Sequence, residues 1–176
     1  NFTINKMGRQ QEKPTNYINV EYSSGVCNIN ECGWLKLEAG YSHIAIGTPT
    51  AVIIGSRYSS VKIKSSKSIV TESKYDHPFK VGYVRNFVCN GAYSNFEISK
   101  LYNMLEADVK YSDIEVIEVD KDFDLIKLKL RYGKASMKLP VEPGYDLKAE
   151  SEYGSINYPD NYKINKIIDQ SEASIW

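Results

Sequence analysis

Cysteine, histidine and long apolar runs are all scarce in this sequence. The 176 residues include only 3 Cys and 2 His. Three cysteines are too few for a disulfide scaffold, and His43 and His77 do not complete a zinc ligand set at a suitable spacing. No run of about 18 apolar residues occurs, so no membrane-spanning helix is predicted. The sequence therefore predicts no metal and no cofactor, and it favours free, partly buried thiols over the alternative of a Cys27–Cys32 disulfide that leaves Cys89 free.

A charge of one sign is also lacking, because 22 Lys and Arg balance 22 Asp and Glu. Only four of the basic residues are arginine, and the rest are lysine. Specific recognition of nucleic-acid bases usually depends on the planar guanidinium group of arginine, so the excess of lysine over arginine argues against sequence-specific nucleic-acid binding. With 42% hydrophobic and 25% charged residues, the composition is that of a folded domain.

Short strands are the main secondary-structure signal. Six runs are β-branched or aromatic and are separated by Gly, Pro, Ser and Asn, namely 34–37, 43–46, 51–54, 61–64, 68–71 and 80–84. The 14 tyrosines fit half-buried pleated surfaces. No internal repeat is identified. We therefore predict a mostly β fold, with an N-terminal arm over 1–25 and a β-barrel domain over 26–176.

One segment interrupts the strand pattern. Four apolar side chains follow the i, i+3, i+4, i+7 spacing of a helix, namely Ile98, Leu101, Tyr102 and Leu105. Ser94 and Glu97 have the spacing of a capping box. The pattern predicts one short helix near 94–106, packed on the barrel.

Asp124 is a candidate functional residue because it directly precedes a segment in which apolar and polar residues alternate. Counting by two places Asp124 on the same side as Ile126, Leu128 and Leu130, which is the apolar face of the predicted strand. A carboxylate on such a face needs a partner or takes up a proton. We therefore expect Asp124 to point inward.

The order of several short segments resembles chymotrypsin-like serine and cysteine proteases. The segment 116–128 resembles the strand that carries the catalytic aspartate, here Asp124. The segments 51–55 and 68–71 resemble the hairpin that leads to the catalytic histidine. Segments 139–141, 146–148 and 154–159 resemble the crossover and the first strand of a second barrel. The resemblance implies an antiparallel β-barrel over about residues 45–160.

Two departures from the family pattern imply a degenerate or truncated member, of a kind related to viral polyprotein peptidases. Lys74 stands at the position that matches the family histidine, while His77 lies three residues later. No Gly-x-Ser-Gly or Gly-x-Cys-Gly motif occurs, and Ser155 is a poor substitute nucleophile. Lys74 beside Asp124 would form an ion pair instead of a proton-transferring dyad. The expected function is thus an inactive, protease-like binding or scaffold module with a protein partner. If the chain is active, His77 and Asp124 are the catalytic pair.

Two alternatives remain open. The segment 31–35 resembles the nucleophile region of viral papain-like cysteine proteases, which would make Cys32 the nucleophile and His77 its base. A cluster of basic residues, Arg57, Lys62, Lys64, Lys67 and Lys74, surrounds Tyr58. Lys62 and Lys64 alternate onto one face, as in an RNA-binding strand or a charged edge strand. An RNA-binding or other interaction module is therefore the remaining alternative.

Overall fold

A computed structural model describes residues 2–6, 23–140, 148–152, 166–169 and 172–175. These residues form thirteen strands and no helix. The strands are β1 Phe2–Lys6, β2 Ser23–Glu31, β3 Trp34–Ile46, β4 Ala51–Arg57, β5 Ser60–Lys74, β6 Phe79–Ala92, β7 Asn95–Lys110, β8 Asp113–Val119, β9 Leu125–Arg131, β10 Lys134–Met137, β11 Lys148–Glu152, β12 Lys166–Asp169 and β13 Glu172–Ile175. The prediction of a mostly β fold is confirmed.

The chain winds as a parallel β-solenoid of about six turns. Successive coils begin at residues 34, 51, 68, 86, 104 and 125, and each residue pairs with its equivalent in the next coil. Among the described strands, the two pairings of β13, with β11 and with β12, are antiparallel. Because neighbours in the sheet are one coil apart in sequence, nearly all contacts are between adjacent coils.

Two sheets run along the solenoid. Sheet A contains the segments 34–40, 51–57, 68–74, 86–92, 104–110 and 125–131. Sheet B contains the segments 43–46, 60–63, 79–81, 95–98, 113–116 and 134–137. Alternate side chains of both sheets point inward and form one core, in which Phe79, Phe87 and Phe96 contact one another at centroid distances of 5.4–6.3 Å.

A tyrosine stands at the corner between sheet A and sheet B in every coil. The six residues, which we call the tyrosine ladder, are Tyr41, Tyr58, Tyr75, Tyr93, Tyr111 and Tyr132. All have φ between 50° and 58°, a region that non-glycine residues rarely occupy. Their rings stack at centroid distances of 4.8–5.0 Å and within 9° of parallel. The ladder therefore marks the repeat that the sequence analysis failed to identify.

A column of small polar residues follows the tyrosine ladder on the inside of the corner. Its members are Ser42, Ser59, Asp76, Ser94 and Ser112, all buried. At four of these positions, Ser59, Asp76, Ser94 and Ser112, the side-chain oxygen accepts a hydrogen bond from the backbone N–H of the column residue in the preceding coil, at 2.7–3.1 Å. These bonds connect adjacent coils at the corner, where the positive φ of the tyrosine interrupts the regular backbone hydrogen bonding between strands.

The predicted antiparallel barrel of chymotrypsin-like type is wrong. The alternation of apolar and polar residues indicates which side chains of a strand are buried. The same alternation occurs in parallel and in antiparallel strands that have one exposed face, so it does not determine how the strands pair. The predicted short helix is also wrong, because residues 95–110 form β7. Ile98, Leu101 and Leu105 are buried while Tyr102 is exposed, and their spacing arises because the strand bends around a corner of the coil.

Parts of several predictions lie outside the described residues. These include residues 7–22 of the predicted arm, and Ser155 with the rest of 153–165. Within the described part of the chain, no helix is long and apolar enough to cross a membrane.

Candidate functional site

The structure does not bring the predicted protease residues together. His77 follows the tyrosine corner of the third coil, whereas Asp124 lies in the opposite corner, directly before β9. Both side chains are exposed, so the expectation that Asp124 points inward is wrong. Lys74 forms an ion pair with Glu72, at 3.0 Å. Because Lys74 lies in the third coil and Asp124 at the end of the fifth, at opposite ends of sheet A, roughly 20 Å or more separates them.

Cys32 does not lie at a helix N-terminus but in the turn between β2 and β3, where it is buried. Burial raises the pKa of the Cys32 thiol above its usual value. Burial likewise raises the pKa of Cys27 to about 11 and that of Cys89 still further. All three thiols are free. A raised pKa keeps each sulfur protonated and weakly nucleophilic near neutral pH.

A buried carboxylate that the sequence analysis did not single out lies inside the tyrosine corner. Asp76 is fully buried and accepts hydrogen bonds from Ser56 Oγ at 2.5 Å, from Ser73 Oγ at 2.6 Å and from the backbone N–H of Ser59 at 2.7 Å. Burial raises the pKa of Asp76, and these donors oppose the increase. Because solvent does not reach it, Asp76 stabilises the corner and does not form part of an open site.

The basic residues have a clear arrangement on the outside of the solenoid. The coil 51–67 carries Arg57, Lys62, Lys64 and Lys67, and it contains no Asp or Glu. Lys62 and Lys64 both point outward from sheet B, as the alternation predicts. Arg57 lies at the end of sheet A and Lys67 precedes the next segment of sheet A, so neither joins this pair. In this coil the lysine pair therefore lies on sheet B.

We call the outer surface of sheet B in the first three coils the basic face; its outward side chains include His43, Ser60, Lys62, Lys64, His77 and Lys80. Within the described residues, Glu31 is exposed at the end of β2, the strand that pairs with residues 43–46, and in the fourth coil Glu97 pairs with Lys80 at 2.5 Å. No described carboxylate lies within 4.0 Å of the Lys62 or Lys64 ammonium. The basic face thus carries uncompensated positive charge.

A groove of about 390 Å³ crosses the basic face, with Lys62, Lys64 and Lys80 along its edges and Gly47 and Gly82 in its lining. We call it the glycine-floored groove. A Cβ on Gly47 would lie 2.0 Å from the carbonyl oxygen of Asn30, and one on Gly82 would lie 2.4 Å from that of Lys64. Only glycine fits at either position. Glu97 also lines this groove and is paired with Lys80, so the two unpaired ammonium groups of Lys62 and Lys64 beside the backbone floor are what suits an anionic group.

A second groove, of about 430 Å³, adjoins the tyrosine ladder. It is lined by Tyr41, Tyr58 and Tyr75 on one side and by the chain's two histidines on the other. Ser60 lies between the histidines, and its Oγ is 2.6 Å from His43 Nδ1. This tyrosine–histidine groove offers hydroxyl and imidazole hydrogen-bonding groups next to the lysines.

A larger depression, of about 460 Å³, lies on sheet A. The Glu38 carboxylate covers its floor at Gly55, and its rim carries the Lys74–Glu72 ion pair. Opposite charges already neutralise each other there, so this depression offers no charge of one sign to a partner.

Comparison of the chain with known protein families, curated proteins and solved structures gave no match. Within the described residues, no group of three or more His, Cys, Asp or Glu side chains is placed to hold a metal ion. The basic face with its two grooves is therefore the candidate site that geometry and charge favour.

Proposed function

We propose that this protein is a binding module that holds an anionic partner on its basic face. The observation that carries the proposal is the position of Lys62, Lys64 and Lys80 beside the glycine-floored groove, in a region where only Lys80 has a carboxylate partner. Exposed like charges that lie close together repel one another, so an anion that neutralises them is favoured.

The scaffold supports this proposal because it fixes the spacing of the charges. Lys62 and Lys64 are two residues apart on one strand, and Lys80 pairs with Lys62 in the adjacent coil. Backbone hydrogen bonds between coils hold these Cα positions, so little backbone entropy is lost on binding. An extended partner with regularly spaced negative groups can contact several lysines at once.

The experiment replaces the two unpaired lysines with glutamine, Lys62→Gln with Lys64→Gln, and measures binding to heparin as a polyanionic probe at several salt concentrations. The matched control is Lys127→Gln with Lys129→Gln, which removes the same charge at the same spacing. In the control, register places Lys127 beside Glu106 and Lys129 beside Asp108.

We expect the first variant to bind more weakly, with a slope of log affinity against log salt that is shallower by about 1.4–1.8, because two released counterions are lost. The control variant keeps the affinity and slope of the unmodified protein. Equal losses in both variants would show that net charge and not the basic face determines binding. Absence of heparin binding at low salt would overturn the proposed function.

A further inference from the structure

The stacking of the tyrosine ladder restricts which anionic polymer the basic face accepts. Tyr58, Tyr75, Tyr93 and Tyr111 each have a neighbouring ring on both faces, at centroid distances of 4.8–5.0 Å. A nucleic-acid base inserted between two rings needs them about 6.8 Å apart, twice the stacking distance of 3.4 Å. Hydrogen bonds between the coils hold neighbouring strands at about 4.8 Å, so the ladder does not open to admit a base.

Tyr41 differs from the other rings because it begins the ladder. Register places residue 24 of the preceding coil opposite Tyr41, and residue 24 is a serine, which has no ring. Within the described residues, Tyr41 stacks on Tyr58 alone, and its exposure of 58% is the highest in the ladder. Among the described side chains, none stacks on the second face of the Tyr41 ring, which lies at the edge of the tyrosine–histidine groove and is available to a ligand there.

The groups around this open ring are those that recognise a sugar. The groove that Tyr41 lines contains the Ser60 hydroxyl and the His43 imidazole, both hydrogen-bonding groups. The adjoining glycine-floored groove supplies Lys62 and Lys64, which match a carboxylate or a sulfate. Lysine binds such groups as a point charge and does not require the planar, paired geometry that arginine recognises.

We propose that the anionic partner is an acidic polysaccharide, with one sugar ring stacked on the open face of Tyr41 and its carboxylate or sulfate groups on Lys62 and Lys64. This inference rests on the proposed function, because it names the class of partner for the same basic face. The polymer runs from the tyrosine–histidine groove into the glycine-floored groove. Its hydroxyl groups bond to the polar side chains that line both grooves.

The experiment compares the binding of four probes to the intact protein at low salt: alginate as a polyuronate, neutral dextran, single-stranded oligo(dT) and poly-L-glutamate. We expect alginate to bind most tightly and dextran not to bind measurably. The variant Tyr41→Gly, in which glycine suits the φ of 51°, should weaken alginate binding about three- to ten-fold, the effect of one aromatic contact. Its effect on poly-L-glutamate should be smaller than two-fold.

Tyr111→Gly is the matched control, because Tyr111 has the same backbone conformation but both ring faces covered. We expect it to leave alginate affinity unchanged while lowering stability, which denaturant unfolding measures separately. Tighter binding of oligo(dT) or poly-L-glutamate than of alginate would overturn the polysaccharide, and equal effects of the two variants on alginate would overturn stacking on Tyr41. If none of the three polyanions binds, the proposed function itself fails.

Discussion

Tyr93, in the interior of the tyrosine ladder, allows the strength of the ladder to be measured. It stacks on Tyr75 at 4.9 Å and on Tyr111 at 4.8 Å, and its φ is 55°. Replacement by alanine removes both stacks, each worth about 0.5–1.5 kcal/mol, so we expect a loss of about 1–3 kcal/mol in the free energy of unfolding. The left-handed backbone of the new alanine remains strained.

Tyr93→Gly should be less damaging than Tyr93→Ala, which reverses the usual order in a strand. Glycine removes a left-handed strain of about 1–2 kcal/mol but costs roughly 0.5–1 kcal/mol in the entropy of the unfolded chain. The glycine variant should therefore be more stable than the alanine variant, by up to about 1.5 kcal/mol.

Urea unfolding followed by circular dichroism measures both variants, with a change in the midpoint at an unchanged slope taken as a change in stability. The control position is Tyr83 in β6, which is exposed to 52%, lies outside the ladder and has no positive φ. There, Tyr83→Gly should be less stable than Tyr83→Ala. If glycine is equally unfavourable at both positions, the argument that Tyr93 combines strain with stacking is refuted.

Two further predictions concern buried groups. Ser73→Ala removes a donor to the Asp76 carboxylate and should lower stability at pH 7 by about 1.5–3 kcal/mol. Because the raised pKa of Asp76 means that the native state holds its proton more tightly than the unfolded chain, stability falls as pH rises through the native pKa. The loss in Ser73→Ala should therefore be smaller at about pH 3.5, and urea unfolding that shows equal losses at both pH values would contradict this account. Cys27, Cys32 and Cys89 should react with iodoacetamide at neutral pH only after denaturation, as followed by mass spectrometry; rapid alkylation of Cys32 in the folded protein would instead support its role as a nucleophile.

The sequence allows the strands to be predicted but not how they pair. The runs 34–37 and 43–46, predicted as separate short strands, both lie in β3, where Leu35, Leu37, Ile44 and Ile46 are buried and alternate with more exposed neighbours. The same alternation is compatible with hairpins and with coils, because it records burial and not the direction of the neighbouring strand. A parallel arrangement follows only from a repeat.

The repeat was missed because its period is not constant. The ladder tyrosines are separated by 17, 17, 18, 18 and 21 residues, and apart from the tyrosine the corner repeats only a small residue after it. That residue is serine in four coils, Asp76 in the third and Gly133 in the last. A search for tyrosine followed by a small or acidic residue at spacings near 17 would have identified the solenoid and, with it, the corner beside the basic face.

The basic face was only partly predictable. The alternation of Lys62 and Lys64 onto one side of a strand is evident in the sequence. Lys80 joins them because it lies one coil later, and Arg57 does not because it lies on the other side of the tyrosine corner. The prediction for Asp124 failed for a related reason. Asp124 precedes β9, which begins at Leu125, and the alternation of inward and outward side chains does not extend into the corner before the strand.

The coil 104–124 accommodates its three additional residues in the corner directly before sheet A, where Asp120 Oδ1 accepts a hydrogen bond from the backbone N–H of Asp122. The coils above and below keep their register along sheet A and along the tyrosine ladder. Length variation is thus absorbed at one margin of the molecule, without a shift in the register of either sheet. A peptide grafted between Asp122 and Phe123 would project from that margin as an independent loop, and duplication of one whole coil would lengthen the molecule without altering its cross-section.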